Sequence, residues 1–262
     1  IGFQGFFYLL SSVLLEFTDM DPEDLFLLYF GVSMISLIVT WMYLDELIIK
    51  DDKKNDESIM TRLFEVMKIT TTDPVAICIS PMTISFGFVS IFVFVYLNDN
   101  IGADYFGTYA IGYLNVLASA AAVLSSIIVS YFFVHSYSIG LGSLCYMLLS
   151  LAFMVFSNEQ MGKWKYVWML YCLYGIGRIT WESTTKAIYA DLYPHKRSIA
   201  FANLTFLTGL SSTVFSFLSS DISELALAIC MFIPASLMVP GYLYALKIRE
   251  DKPIKESQLE IS

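Results

Sequence analysis

PVAICISPMTISFGFVSIFVFVYL, residues 74–97, contains no charged side chain. A helix of this length, rising about 1.5 Å per residue, spans the roughly 30 Å hydrocarbon core of a bilayer. The whole chain is similar, with 57% hydrophobic and 15% charged residues and a mean hydropathy of +0.66. Soluble domains are about 45–50% apolar and about 25% charged. One soluble core could not bury this much apolar surface, so the sequence predicts a membrane protein.

Seven further segments are long enough to span a bilayer, or nearly so. They are 1–16, 25–44, 107–133, 138–156, 166–190, 199–219 and 223–247, which with 74–97 makes eight segments. Lipid offers no partner to free backbone groups, so each segment must be a helix or a barrel strand. Barrel strands are about ten residues long and alternate strictly between polar and apolar side chains. No such alternation is present, and the sequence predicts an all-α, polytopic transmembrane helical bundle.

The basic residues are distributed unevenly, although the formal net charge is −9. Most of them lie in segment 45–73, in the loop after Pro194, and beyond the last predicted helix. If every segment spans, those three regions share one side of the membrane. The opposite side has acidic stretches such as DMDPED (19–24) and NDNIGAD (98–104). The positive-inside rule therefore predicts that linker 45–73 and the C-terminus are cytoplasmic.

The order of segments predicts the domain organisation. Two helices (1–44) precede linker 45–73, six helices (74–247) follow it, and 248–262 forms a cytoplasmic tail. Within the linker, residues 58–69 predict a short amphipathic helix at the membrane surface, with Ile59, Leu63 and Val66 near one face.

Such a linker joins the two six-helix halves of the major facilitator fold. On this interpretation 1–44 are the last two helices of the N-terminal half, and 74–247 are the C-terminal half. We then expect four further helices that this sequence does not include. The alternative is an eight-helix protein that begins at Ile1.

Two stretches carry a resemblance to a known family. The first, 79–119, has Pro81, Phe86-Gly87, and then Gly107 and Tyr109 opening the next helix. The second, YGIGRITWESTTKAIYADLYPHKRSIAFANLTFLTGLSSTVFSFL (174–218), has in order Gly175, Gly177, Trp181, Glu182, Ser183, Tyr193-Pro194 and Ala200-Phe201-Ala202-Asn203. This ordered set resembles the Unc-ninety-three family of ion-channel regulatory proteins, a divergent branch of the major facilitator superfamily. Arg178 stands where some members have an acidic or small polar residue.

The resemblance implies a major facilitator fold and a function in the membrane. Characterised members of the family look more like regulators or chaperones of other membrane proteins than like proven transporters. We therefore expect a membrane transporter, or a regulator of ion channels or receptors. The alternative is a structural or accessory subunit of a larger membrane complex without transport activity. We expect three kinds of partner: membrane lipid, a partner membrane protein (a channel, a receptor or a complex), and a small anionic or zwitterionic solute.

Arg178, Glu182 and Lys186 are the leading candidate site residues. They are spaced four apart, so on a helix Glu182 can pair with either cation or with both. A cation at mid-membrane costs about 3 kcal/mol on insertion scales, and pairing lowers that cost. In one interpretation the three face the cleft between the halves and bind an anionic or zwitterionic solute or take part in gating. In the other, Lys186 extends to the interface and Arg178–Glu182 is a buried brace.

Asn115 and Asn203 are further candidates because each lies in an apolar segment. Each could contribute to a polar site or form an interhelical hydrogen bond. The four cysteines fall in four different apolar segments and form no CxxC pair, which predicts neither a disulfide framework nor a zinc site. No hydrolase, zinc-protease or phosphate-binding-loop motif is present. We therefore expect no enzyme, no cofactor, no metal and, given the acidic balance, no nucleic-acid partner.

Overall fold

The computed structural model describes residues 2–18, 22–48, 59–132, 135–194 and 197–259. Over these ranges every regular element is helical and no strand occurs, which confirms the all-α prediction. The elements are α1 (Gly2–Phe17), α2 (Pro22–Ile48), α3 (Ile59–Thr72), α4 (Pro74–Phe92), a π-helical segment (Val93–Ala103), α5 (Asp104–Phe106), α6 (Thr108–Phe132), α7 (His135–Val155), α8 (Asn158–Met161), α9 (Trp164–Ile179), a second π-helical segment (Thr180–Thr185), α10 (Lys186–Leu192), α11 (Arg197–Asp221) and α12 (Glu224–Leu259).

Six of the described helices are long and apolar enough to cross a membrane, against the eight segments predicted. They are Glu23–Met42, Pro74–Phe106, Thr108–Tyr131, Ser136–Val155, Arg197–Asp221 and Glu224–Glu250. The other two predicted segments are also helical. One gives the shorter apolar helix Gln4–Phe17, and the other is the helix that contains the three charges. By length and composition this is a multi-pass membrane protein.

The last helix is longer than the sequence predicts. The sequence predicts that the helix ends at 247 and that a tail begins at 248, but α12 continues to Leu259. The added residues include Glu, Lys and Gln, which have high helix propensity, and also Pro253, which has the lowest. The predicted tail is therefore mostly a continuation of α12, and 260–262 lie outside the described residues.

One residue, Asp73, separates the linker helix α3 from α4, the first long helix after it. Asp73 caps α4, its Oδ1 accepting a hydrogen bond from the Val75 amide at 3.0 Å, and Pro74 occupies the first turn. α3 occupies 59–72, where the sequence predicts a helix over 58–69, and linker residues 49–58 lie outside the described ranges. Val66 on α3 is buried, while Phe64 is exposed. α3 packs against α4 and α11.

The six helices after the linker form two groups of three, and each group packs against the other in the same way. The first group is α4, α6 and α7, and the second is α9, α11 and α12. α4 packs against α11 and α12 of the second group, and α9 packs against α6 and α7 of the first. The third helices of the two groups, α7 and α12, pack against each other. The first helix of each group is thus held by the second and third helices of the other group. A shared core at these crossings includes Phe92, Tyr146, Leu149, Tyr171, Phe215 and Met231.

Glycines let these helices approach each other closely. A Cβ on Gly175 of α9 would lie 2.1 Å from the Ala118 carbonyl oxygen of α6. A Cβ on Gly241 of α12 would lie 2.2 Å from the Cys78 carbonyl oxygen of α4. Both clashes are with backbone, which a rotamer change cannot relieve. Small residues at crossings are how membrane helices gain van der Waals contact without a hydrophobic driving force.

The first two helices differ in how they contact the rest of the chain. α1 packs along α6, where the Ser12 hydroxyl donates to the Tyr109 carbonyl oxygen at 2.9 Å. Gly112 of α6 makes room for this contact, since a Cβ there would lie 2.7 Å from the Tyr8 carbonyl oxygen. α2 contacts α1 only sparsely, and none of its most apolar stretch is buried by the described residues.

We expect Gly175→Ala to destabilise the fold, because the new methyl group would meet the Ala118 carbonyl oxygen and force α9 away from α6. Overpacking of this kind costs about 1–3 kcal/mol. The matched control is Gly140→Ala on α7, where a Cβ meets no atom within 4 Å. Thermal unfolding in detergent should show a lower midpoint for Gly175→Ala and no loss for Gly140→Ala. Equal midpoints would contradict the close α6–α9 contact.

Candidate functional site

The three predicted charges lie on one continuous helix, which we call the triad helix (164–192). It begins as α9, passes through the π-helical segment Thr180–Thr185 and ends as α10. Within the π-helical segment, the Thr185 hydroxyl donates to the carbonyl oxygen of Thr180, five residues earlier, at 2.9 Å. π-Helical turns inside α-helices are rare and are frequent at functional sites. Glu182 lies within this turn, and Arg178 and Lys186 flank it.

Hydroxyl groups fix the orientation of the π-helical turn against α7. Thr184 Oγ1 and Ser138 Oγ share a hydrogen bond of 2.6 Å, and Thr180 Oγ1 donates to the Ser138 carbonyl oxygen at 3.1 Å. Gly142 lies against the same threonine, since a Cβ there would be 2.0 Å from Thr180 Oγ1. These threonines therefore bond to the neighbouring helix, and the charged side chains project elsewhere.

Glu182 bridges both cations, and we call Arg178, Glu182 and Lys186 the ion triad. Arg178 Nη2 and Nε lie 3.1 Å and 3.3 Å from Glu182 Oε1. Lys186 Nζ lies 3.3 Å from the other carboxylate oxygen, Oε2. Exposure of the side chains rises along the helix, from 14% for Arg178 to 25% for Glu182 and 39% for Lys186. The most buried charge, Arg178, donates three hydrogen bonds, two to Glu182 and one to Gln4.

Arg178 also connects the triad helix to α1. Its Nη2 donates to Gln4 Oε1 at 2.7 Å, and Gln4 Nε2 in turn donates to the Tyr8 hydroxyl at 2.8 Å. A hydrogen bond to a charged group is worth about 1.5–3 kcal/mol. This contact joins residues 174 positions apart in sequence, and it fixes α1 against the most buried charge of the site.

An aromatic side chain completes the site. The Trp181 ring stacks on Phe86 of α4, with centroids 4.1 Å apart and planes at 7°. Lys186 Nζ lies 4.5 Å from the centroid of the Trp181 ring, within the range of a cation–π interaction. Lys186 is therefore held by a carboxylate and by an aromatic face.

The ion triad carries a formal net charge of +1, from two cations and one carboxylate. Among the described residues Glu182 is the only carboxylate paired with either cation. Gln4, the other partner of Arg178, is neutral. In a region of low dielectric an unbalanced positive charge attracts an anion much more strongly than it would in water. The arrangement is therefore suited to hold one carboxylate or another monoanionic group.

Asn115 and Asn203 lie in separate polar contacts, apart from the ion triad. Asn115 Nδ2 donates to Asn98 Oδ1 at 3.2 Å, and the Tyr171 hydroxyl donates to the same oxygen at 2.6 Å. This buried cluster joins α6, the first π-helical segment and α9. Asn203 Nδ2 donates to Thr70 Oγ1 at 2.5 Å and so ties α11 to α3. Both asparagines form interhelical hydrogen bonds, which was the second of the two predicted roles.

Another polar contact lies beyond the end of the triad helix. The Tyr193 hydroxyl donates to Asp73 Oδ2 at 2.8 Å, so the cap of α4 is bonded to the turn that precedes α11. Burial, and then the neighbouring Asp73 carboxylate, raise the pKa of Tyr193 well above its ordinary value. The phenol therefore stays neutral and keeps its proton for this hydrogen bond.

No cluster suited to a metal is present among the described residues, in the sense of three or more His, Cys, Asp or Glu side chains close together. The four cysteines are free thiols on separate helices. The ion triad and its neighbours offer charge, hydrogen bonds and an aromatic surface for binding.

Sequence reasoning missed Gln4 and Tyr8 as site residues and cited Trp181 only for the family resemblance. Gln4 carries a signal that could have been used, since it is the only amide in the apolar segment 1–16. An isolated amide in such a segment indicates a polar partner on another helix. The identity of that partner, Arg178, depends on the packing of α1 and has no counterpart in the sequence pattern.

Comparison with known proteins adds no relative. No family model, no curated protein and no solved structure matches this chain.

We expect Arg178→Gln to destabilise the protein more than the double substitution Arg178→Gln with Glu182→Gln. The single change leaves the partly buried Glu182 carboxylate with Lys186 as its only ion-pair partner among the described residues. Breaking a buried pair costs up to about 3–5 kcal/mol. The double change also removes that charge. The free energies of unfolding in detergent would measure the coupling between Arg178 and Glu182. Lys165→Gln, at an exposed position near the start of α9, is the control. Additive effects would contradict an energetically coupled triad.

Proposed function

We propose that the chain is a multi-pass membrane protein of the major facilitator fold, related to Unc-ninety-three proteins, and that its ion triad binds a small anionic or zwitterionic solute during transport. The packing of the last six helices supports the fold. Two three-helix groups in which each first helix packs on the second and third helices of the other are what nested three-plus-three repeats produce. The preceding linker and pair of helices fit the same plan.

The proposed topology includes two helices beyond the six long apolar ones. The triad helix runs over 164–192, and at about 1.5 Å per residue this is sufficient to span a bilayer. Its charges interrupt the apolar run, as charges do in helices that face a polar pathway. α1 would span beside α6. With eight spans, linker 45–73 and the C-terminus are cytoplasmic by the distribution of Lys and Arg.

One observation carries the solute-binding proposal: Arg178 is bonded both to Glu182 on its own helix and to Gln4 on α1. In the proposed fold these two helices belong to different halves, so the guanidinium lies at their junction. The net charge of +1 leaves room for one anionic group. Arg is also the side chain best suited to bind a carboxylate through two parallel hydrogen bonds.

A solute at this position would couple binding to movement of the halves. A carboxylate that accepts from Arg178 Nη2 would compete with Gln4, which is a neutral and weaker acceptor. Loss of the Gln4 contact would release α1 from the triad helix. The solute would then favour whichever arrangement of the halves lacks that contact, as any ligand with unequal affinities shifts a conformational equilibrium.

Uptake into proteoliposomes tests this proposal. Radiolabelled L-glutamate, succinate and L-glutamine represent anionic and zwitterionic solutes, and mannitol is the neutral comparison. We expect uptake of at least one charged solute, lost in Arg178→Gln because the anion loses its cation, and partly kept in Arg178→Lys. Lys165→Gln should behave as wild type. Unchanged uptake in Arg178→Gln would exclude the residue from the site, and uptake of none of the charged solutes would contradict transport of these classes.

A second function, regulation of another membrane protein, is supported by α2. A groove of about 1050 Å³ lies between α1 and α2. Four hydroxyl side chains of α2 recur along it at helical spacing: Tyr29, Ser33, Ser36 and Thr40. Serine and threonine stripes of this kind suit contact with another membrane helix. A channel or receptor helix in this groove would fit the regulatory role, and an accessory subunit would use the same face without altering its partner's activity.

Site-specific photo-crosslinking distinguishes this second function. A benzoylphenylalanine at Ser36, in the groove, should form an adduct with a partner protein in native membranes, because the groove faces that partner. The same probe at Ile38, which is exposed but does not line the groove, is the matched control and should form none. Equal yields at both positions, or no adduct at Ser36, would count against a partner in the groove.

A further inference from the structure

Glu182 of the ion triad divides its two carboxylate oxygens between two different partners. Oε1 accepts from Arg178 Nη2 at 3.1 Å, whereas Oε2 lies 3.3 Å from Lys186 Nζ. Arg178 is the more buried of the two cations, with a side chain 14% exposed against 39% for Lys186. The Oε2 side of the carboxylate therefore holds an ammonium group at the more open end of the ion triad.

The position of that ammonium group has two features that attract ammonium in proteins, an anion and an aromatic face. Glu182 Oε2 supplies the negative charge, and the centroid of the Trp181 ring lies 4.5 Å from Lys186 Nζ. The stack of Trp181 on Phe86, with planes at 7°, fixes the orientation of the ring. We call Glu182 Oε2 and the Trp181 ring face the ammonium subsite.

A second subsite lies on Arg178 and is also filled by a side chain of the protein. Arg178 Nη2 donates to Gln4 Oε1 at 2.7 Å, and this acceptor belongs to a neutral amide. A carboxylate binds a guanidinium more strongly than an amide does. Gln4 and Lys186 both have unbranched, flexible side chains, so rotation about side-chain bonds can vacate either subsite without movement of the backbone. A guest group then takes the volume that each side chain leaves.

We propose that the ion triad selects a solute that carries both charges, an α-amino acid, with its carboxylate on Arg178 and its ammonium group in the ammonium subsite. This inference rests on the proposed solute site and narrows its substrate class from anionic or zwitterionic to zwitterionic. In the bound state Glu182 pairs with two cations and Arg178 with two carboxylates, so that opposite charges alternate. Gln4 and Lys186 are then internal substitutes for the two charged groups of the solute.

Two observations favour a zwitterion over a simple anion. The subsites are adjacent, because Arg178 and Glu182 are in contact at 3.1 Å, and an α-amino acid carries its two charged groups on one carbon atom. The aromatic face also distinguishes the classes, because the π face of Trp181 is negative and attracts an ammonium group but not a carboxylate. Lys186, the most exposed of the three charged side chains, is also the one whose displacement costs least.

Calorimetric titration of the purified full chain in detergent, with glycine and with acetate, tests the inference. The two probes share a carboxylate, but only glycine carries an ammonium group, and it has no side chain that could limit its fit. We expect glycine to bind about tenfold more tightly than acetate, the factor that one hydrogen bond between charged groups supplies. Equal affinities, or tighter binding of acetate, would overturn the inference and leave an anion site in place. Binding of neither probe would overturn the solute site as well.

Lys186→Ala should change the affinities for the two probes in opposite directions. Glycine no longer competes with the tethered ammonium group and should bind several-fold more tightly. Acetate should bind more weakly, because one cation and one carboxylate remain and their net charge is 0 in place of +1. Lys165→Ala is the matched control and should change neither affinity. Lys165 also lies over an aromatic ring, that of Tyr166, but has no ion pair in the described part of the chain.

A parallel fall of both affinities in Lys186→Ala, or no change in either, would overturn the assignment of the ammonium subsite. Trp181→Leu gives an independent measurement, because it removes the aromatic face and keeps all three charges. We expect it to weaken the binding of glycine several-fold and that of acetate little. Equal effects on both probes would contradict a subsite built on the ring. If either variant does not fold, the wild-type comparison of glycine with acetate decides alone.

Discussion

Lipid has no hydrogen bonds to offer, and this constraint shapes every part of the molecule. Backbone groups must be paired within each segment, so the apolar runs form helices. Polar side chains must find partners on a neighbouring helix or on their own. The ion triad meets that demand locally, with Arg178 and Lys186 on either side of Glu182. Asn115 and Asn203 meet it through contacts with other helices.

Close helix crossings turn this set of helices into a framework that positions the site. The triad helix is held between α6 and α7, with Gly175 against Ala118 on one side and Gly142 against Thr180 on the other. Because the contact with Ala118 is to backbone, the distance between α9 and α6 has little freedom. The hydroxyls of the π-helical turn bond to α7, whereas Arg178, two residues before the turn, faces α1. Arg178 can therefore bond to Gln4 across the bundle.

The functional proposals rest on different faces of this framework. The ion triad, with its net positive charge and its link to α1, favours a solute site. The hydroxyl-lined groove beside α2 favours a partner in the membrane. A transporter and a regulator built on one fold would share these features and differ in what fills the groove.

The sequence by itself determined that the chain is a helical membrane protein, and it located the six helices that are long and apolar enough to span a bilayer. It also determined the pairing of Arg178, Glu182 and Lys186. Hydropathy and four-residue spacing are local properties, so both can be recognised without the tertiary structure. The tertiary structure alone decided the rest. Gln4 lies far from Arg178 in sequence, and only the packing of α1 on α6 brings them together. The π-helical turn depends on α7, and the extension of α12 beyond 247 follows no apolar pattern. The sequence could not decide whether Asn115 and Asn203 belong to a polar site or form interhelical hydrogen bonds, because the role of an amide depends on which helix faces it.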